Sequence, residues 1–150
     1  MTGTPRVLAV DYGSRRIGLA ISDPLGSFAI PLEMIPNRGD TAAAAAVLDR
    51  ARSRGAARIL VGLPRNMNGS EGAAAAAARK FAGILGASGL PVELWDERLT
   101  TRQAEQSLIE SGRRREDRRA LVDMVAAQQL LQSWLDRAEG ADGGYGEEPA

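Results

Sequence analysis

The sequence predicts an α/β domain: a mixed five-stranded sheet in the order 3-2-1-4-5, strands one to three forming an antiparallel meander, with helices on both faces. Three observations carry that prediction. Three short apolar runs separated only by turn residues open the chain, two strand–helix crossovers follow, and Pro31 lies inside the third run. Strands joined by tight turns pair antiparallel, whereas strands joined through helices pair parallel by right-handed crossovers. A proline cannot donate to a sheet ladder, so the third strand belongs on an edge.

The first strand is Val7 to Val10, an unbroken apolar run that ends in Asp11. Such a run reads as buried on both faces. A lone ionised Asp closing it costs several kcal/mol in desolvation unless a cation meets it. Gly13 permits φ > 0 and close backbone approach in the turn to the second strand, Ile17 to Ile21, which holds Gly18. Asp23-Pro24-Leu25-Gly26 is a turn signal, and Phe28 to Ile35 is the third strand. Asp40 or Thr41 is expected to cap a helix over about 41–54, stopped by Gly55.

Ile59 to Val61 reads as the fourth strand, and Gly62 to Gly69 as a polar, turn-rich loop. Ser70 is expected to cap an alanine-rich helix over about 71–86, and Pro91 to Asp96 is the fifth strand. Thr100 with Gln103 forms a capping box for a helix ending near Ser111 and Gly112. A last helix over about 117–137 carries the apolar stripe Leu121, Met124, Val125, Leu131 and Leu135. Residues 139–150 are Gly-rich and acidic and are predicted to be a disordered tail, leaving 1–138 as one domain.

Composition excludes several chemistries. With no Cys and no His, the chain cannot build a Cys/His zinc site, a Cys nucleophile or a Ser-His-Asp triad. Catalysis must rest on carboxylates, Arg, hydroxyls, Lys80 or a metal, and an all-oxygen site favours hard ions such as Mg²⁺ or Mn²⁺. Net charge is zero, but Asp136, Glu139, Asp142, Glu147 and Glu148 face only Arg137 at the C-terminal end, which leaves the body of the chain mildly basic. Lys80 is the one cationic side chain that is not Arg. That bias suits phosphate binding and equally fits a biased genome. No run is long and apolar enough for a membrane span, and no signal peptide is evident, so a cytoplasmic location is expected.

Two further acids stand out. Counted in helical steps, Asp123 shares a face with Ala126, Ala127, Leu130 and Trp134, an otherwise apolar stripe of small residues. Glu97 follows the fifth strand. Strands one, four and five would run parallel, so Asp11 and Glu97 would emerge at the same end of the sheet, where open α/β sheets bind ligands. Two strand spacings separate them, about 9.6 Å at ~4.8 Å per strand, a gap two side chains can span around metal ions. Taken singly, each acid has a plainer account: Asp11 as a strand-end cap, Asp123 as a partner for Arg119, Glu97 as an ordinary loop acid. Arg15 and Arg16 read equally as a solvated turn, and the Arg113 to Arg119 run as a solvated helix start.

Together these residues resemble the YqgF/RuvX family of RNase H-like nucleases. The resemblance rests on V-D-Y-G-S-R-R-I-G at 10–18, V-G-L-P-R-N-M-N-G-S-E at 61–71, D-E-R-L-T-T at 96–101 and Asp123, and runs from about residue 6 to 137. It implies an RNase H-like fold and a catalytic, metal-binding triad of Asp11, Glu97 and Asp123 holding Mg²⁺ or Mn²⁺. It also implies a nucleic-acid substrate: the 5′ end of pre-16S rRNA, with resolution of branched DNA (Holliday junctions) as the competing activity. Two-metal hydrolysis of a phosphodiester needs no histidine base, which suits this composition. Gly13, Arg15, Arg16, Arg65, Asn66, Asn68 and Arg98 are the candidates for contacting the substrate backbone. A resolvase would act as a two-fold homodimer, whereas end-trimming would not require one. A catalytically silent nucleic-acid-binding module is the rival class, separated by an assay for metal-dependent cleavage. An actin-like ATPase, suggested by the D-x-G turn, would need two lobes around a nucleotide, and the chain has length for one.

Overall fold

The computed structural model describes residues 5–99 and 125–137. Its elements are β1 (Arg6–Asp11), β2 (Arg16–Ser22), β3 (Ala29–Pro36), α1 (Asp40–Ser53), β4 (Ala56–Leu63), α2 (Ala73–Gly86) and β5 (Val92–Asp96), then a 3-10 turn, Glu97–Leu99. Residues 125–137 are helical and are called α3. The sheet order is β3-β2-β1-β4-β5. β1 pairs antiparallel with β2 and parallel with β4, β2 pairs antiparallel with β3, and β4 pairs parallel with β5. The expected topology is therefore the observed one. The capping box at Thr100, the helix to Gly112, the Arg113 to Arg119 run and the tail at 139–150 lie outside the described residues.

Pro31 lies in edge strand β3, as its missing N–H requires. The register reads Ala20 opposite Pro31 and then Leu19 opposite Glu33, so Leu32 is the extra residue of a bulge beside the proline. Phe28, expected in this strand, instead closes the preceding turn. Its amide and that of Ser27 donate to the Asp23 carboxylate, and its ring is 67% exposed.

Strand alternation divides the core in two. Leu8 and Val10 of β1 join Ile17, Leu19, Ile59 and Val61 on one face, covered by Val47 of α1 and Phe81 and Leu85 of α2. Val7 and Ala9 join Ala20, Ala29 and Leu60 on the other, covered by Ala127, Leu130, Leu131 and Leu135 of α3. The sheet residues on the α3 face are mostly small, which lets that helix sit close.

Side-chain amides fix α3 against the far edge of the sheet. Gln132 accepts from the Ala29 amide at 2.8 Å and donates to the Ser27 carbonyl at 3.0 Å, while Gln128 donates to the Ala29 carbonyl at 3.1 Å. At the other edge the Trp95 indole donates to Ser133 Oγ at 3.0 Å, and the Trp134 indole to Glu93 at 3.2 Å. The helix is thus tied to both sides of the sheet.

Both helix caps differ from expectation. α1 begins after Gly39, whose φ of 114° suits a residue without Cβ, and it carries no side-chain cap; Asp40 and Thr41 lie inside the helix. The Asp40 carboxylate instead accepts the Tyr12 hydroxyl at 2.6 Å. α2 begins at Ala73 after Gly72, because Ser70 is engaged in the preceding loop: its hydroxyl accepts from Asn66 and donates to Asn68. Gly55, with φ of 71°, follows α1 as its expected stop.

Two outcomes follow from these ties. Gln132→Ala leaves the Ala29 amide and Ser27 carbonyl without their side-chain partner and should cost about 1–2 kcal/mol, read as a lower urea midpoint. Glu33 is bonded by the Arg50 fork at 3.1 and 2.9 Å, which lowers its pKa from the ordinary 4.5. A depressed folded pKa means that the contribution to stability is complete above pH 4.5 and is lost as pH falls through the lowered value. Thermal midpoints of wild type and Glu33→Gln should therefore differ near neutrality and converge in acid.

Candidate active site

The C-terminal ends of β1, β3, β4 and β5 share one end of the sheet with the start of β2, so the loops leaving them cluster there. Asp11 closes β1. The alternation that sends Val7 and Ala9 to the α3 face sends Asp11 there too. Directly opposite it on β2 is Gly18. On β4 the register runs Val10 beside Val61, which brings Gly62 beside Asp11. Half-buried Asp11 therefore stands between two backbones that carry no side chains.

Glu97 is the first residue of the 3-10 turn after β5. Its side chain lies across Gly62: a Cβ built on that glycine would sit 3.0 Å from Glu97 Cγ and 3.1 Å from its Cδ, and closer still to Oε2. β4 separates β5 from β1, so the Glu97 carboxylate reaches over the intervening strand on the face that Asp11 occupies. Gly62 and Gly18 form the floor between the two acids. The third expected acid, Asp123, lies outside the described residues, and among the described residues no group of three or more potential metal ligands forms.

The β1–β2 turn is braced from the β3–α1 connection. Asn37 donates its side-chain amide to the Gly13 carbonyl at 2.8 Å and its backbone amide to the Arg15 carbonyl at 2.9 Å. Tyr12 packs on Phe81 with ring centroids 4.7 Å apart while donating to Asp40, a bond that raises the phenol pKa above its usual value. A Cβ on Gly13 would meet the Arg16 carbonyl oxygen at 2.5 Å. Gly13 is needed for this close approach and not for a positive φ, which it does not adopt. Arg15 is exposed on the turn, and Arg16, half-buried, begins β2.

The loop after β4 is held by its own polar residues. Gly69 N donates to the Asn66 carbonyl and Asn66 N to the Ser70 carbonyl, while Asn68 Oδ1 accepts from both the amide and the hydroxyl of Ser70. Asn66 and Asn68 thus spend these groups on loop shape. Arg65 lies 3.3 Å from Glu71 and 3.9 Å from Asp96, and its buried Nε has no hydrogen-bond partner. Arg98 forks onto Asp96 at 2.8–3.2 Å and reaches the Met67 carbonyl at 3.5 Å. Arg79 forks onto Glu71 at 2.8 Å. The Arg98 bonds hold the Asp96 carboxyl below its usual range, and those of Arg79 do the same for Glu71. The result is an alternating chain, Arg98, Asp96, Arg65, Glu71, Arg79, that ties the loop to the end of β5 beside Glu97.

The structure thus brings Asp11 and Glu97 to one face and Arg65 and Arg98 to a shared acid, while Arg15 and Arg16 stand on the separate β1–β2 turn. Sequence reasoning missed Gly62, Asp96 and Glu71. Asp96 carried a signal, since an acid preceding E-R is placed to bind the Arg two residues on; Gly62 stood in the block at 61–71 that carries the resemblance, which gave it no role of its own.

Comparison with known proteins now decides the family. The RuvX family model, described as a Holliday junction resolvase, matches residues 5–137. The chain belongs to the RuvX family. Two RuvX-like relatives are a protein of Pelotomaculum thermopropionicum, 46% identical over 153 residues covering 96% of this chain and 99% of the relative, and one of Myxococcus xanthus, 43% identical with 93% of each covered. Both bear the name "Putative pre-16S rRNA nuclease". Thermus thermophilus RuvC in complex with a Holliday junction substrate shares the fold at a TM-score of 0.59 and 17% identity, over 91% of this chain and 97% of RuvC. The RuvX chain therefore has the RNase H-like fold expected of it. Among its described residues no helix is long and apolar enough to cross a membrane.

The charge chain makes a testable claim. Asp96→Ala frees the Arg65 and Arg98 forks from the end of β5 and should loosen the loop, so that the amides of Asn66, Gly69 and Ser70 exchange with deuterium faster while those of β1 and β4 do not.

Proposed function

We propose that this RuvX chain is a metal-dependent nuclease that hydrolyses phosphodiester bonds in 5′-end processing of pre-16S rRNA, in the cytoplasm. The observation that carries the reading is the Glu97 carboxylate laid across Gly62 on the face that Asp11 occupies. Two carboxylates brought to one face at the C-terminal end of the sheet are a donor pair that a divalent cation can share. The names of the relatives supply the RNA.

The residues fit a hard divalent cation. Their donors are carboxylate oxygens, the donor type that such an ion takes together with retained waters. Asp11, Glu97 and Asp123 would hold Mg²⁺ or Mn²⁺; Asp123 belongs to the set by its place in the sequence, four residues before Ala127. When bound, such ions supply a hydroxide-like water at neutral pH and stabilise charge on the leaving oxygen. The rest falls to the protein's own groups. Arg65 and Arg98, held at the end of β5 by Asp96 and Glu71, would offer a phosphate the guanidinium N–H groups that those acids leave over. Arg15, exposed on the braced β1–β2 turn, offers a further contact to the backbone, and Arg16 stands beside it. The Arg113 to Arg119 run adds long-range attraction.

The competing reading, resolution of a four-way DNA junction by a homodimer, has the family description in its favour. One experiment separates them: pure protein with Mg²⁺ or Mn²⁺ on a pre-16S rRNA fragment and on a four-way junction, each beside Asp11→Asn. The expected result is cleavage of the RNA, lost by at least about a hundredfold in Asp11→Asn, with the mutant still showing a cooperative thermal transition. Cleavage of the junction alone would transfer the assignment to resolution, and binding without cleavage of either would leave a silent module.

A further inference from the structure

We infer that Gly62 is a positioning residue for Glu97, acting by the absence of a side chain; the inference rests on the metal-dependent reading above. A carboxylate that leaves the end of β5 must cross β4 to approach Asp11, and it crosses at Gly62. The space a Cβ would fill there is taken by Glu97 Cγ, Cδ and Oε2. Any L side chain at 62 therefore occupies the path of the carboxylate.

The backbone gives no other reason for glycine. Gly26, Gly39, Gly55, Gly69 and Gly89 have positive φ, and Gly62 is not among them. It is buried, in a strand flanked by neighbours on both sides, where glycine weakens the strand and a larger residue would be favoured. The conflict at Gly62 is also of a particular kind. A Cβ at Gly13 would strike a backbone carbonyl, whereas one at Gly62 strikes the end of a flexible side chain. Alanine at 62 can therefore be accommodated by turning Glu97 aside, with the strand unmoved.

The test uses Gly62→Ala, Glu97→Gln and the double mutant in the full chain, with Mn²⁺ affinity measured by calorimetry and thermal midpoints measured without metal. Gly62→Ala should keep a cooperative thermal transition, since its Cβ meets a side chain and not the strand backbone. Its Mn²⁺ affinity should fall about 10–100-fold, the range for groups that orient a ligand. The double mutant should bind Mn²⁺ no more weakly than Glu97→Gln alone, because Gly62 acts only through that carboxylate. Wild-type affinity in Gly62→Ala, loss of its cooperative thermal transition, or additive losses in the double mutant would each overturn the proposal. If Glu97→Gln binds Mn²⁺ as wild type does, the assignment of Glu97 to the site fails and the role of Gly62 fails with it; if wild type binds none, the metal-dependent reading itself fails.

Discussion

The site depends on a steric constraint: two carboxylates from non-adjacent strands can share one face only if the strand between them presents nothing there. β4 meets it with Gly62, and β2 repeats the condition opposite Asp11 with Gly18. The same face elsewhere carries Ala9, Ala20 and Ala29. A sheet surface this low lets α3 approach closely, and large side chains would hold both the helix and the acids off. Packing and chemistry thus share one requirement, and its cost is a strand interior weakened at its glycines.

A low surface alone would leave α3 free to slide, since small residues give few grooves for its ridges to enter. The hydrogen bonds at the two edges supply what packing does not. Gln128 and Gln132 take the backbone groups of β3 near Ala29, and Ser133 and Trp134 take Trp95 and Glu93 on β5. These bonds span the full width of the sheet, so a shift of α3 by one residue would break several at once.

The strand order was legible because two strong local signals agreed. Pro31 can only be at an edge, and the helices at 40–53 and 73–86 force parallel pairing of β1, β4 and β5. Asp11 and Glu97 could be placed at a common end for the same reason. What escaped the sequence was competition among polar residues. Asp40 and Ser70 are good caps by type, but Tyr12 claims the first and Asn66 and Asn68 claim the second, and those partners become neighbours only in the folded chain. Gly62 was hidden for a related reason: a glycine at a strand end reads as the start of a turn, and its part in the path of Glu97 appears only when β5 is laid beside β4.

On the proposed function, the pairing of Arg65 and Arg98 with Asp96 costs phosphate affinity, since each guanidinium already has an acid. The balance runs the other way for catalysis. A free arginine on the surface must surrender the freedom of four torsions when it grips a phosphate, a cost of up to about 2 kcal/mol per side chain. Asp96 meets that cost during folding by holding the Arg98 fork and keeping Arg65 within 3.9 Å. On that reading, what is lost in raw attraction is recovered as orientation, and only orientation favours the transition state over the bound substrate. An enzyme that must release its product gains little from gripping phosphate more tightly, and much from holding it in line.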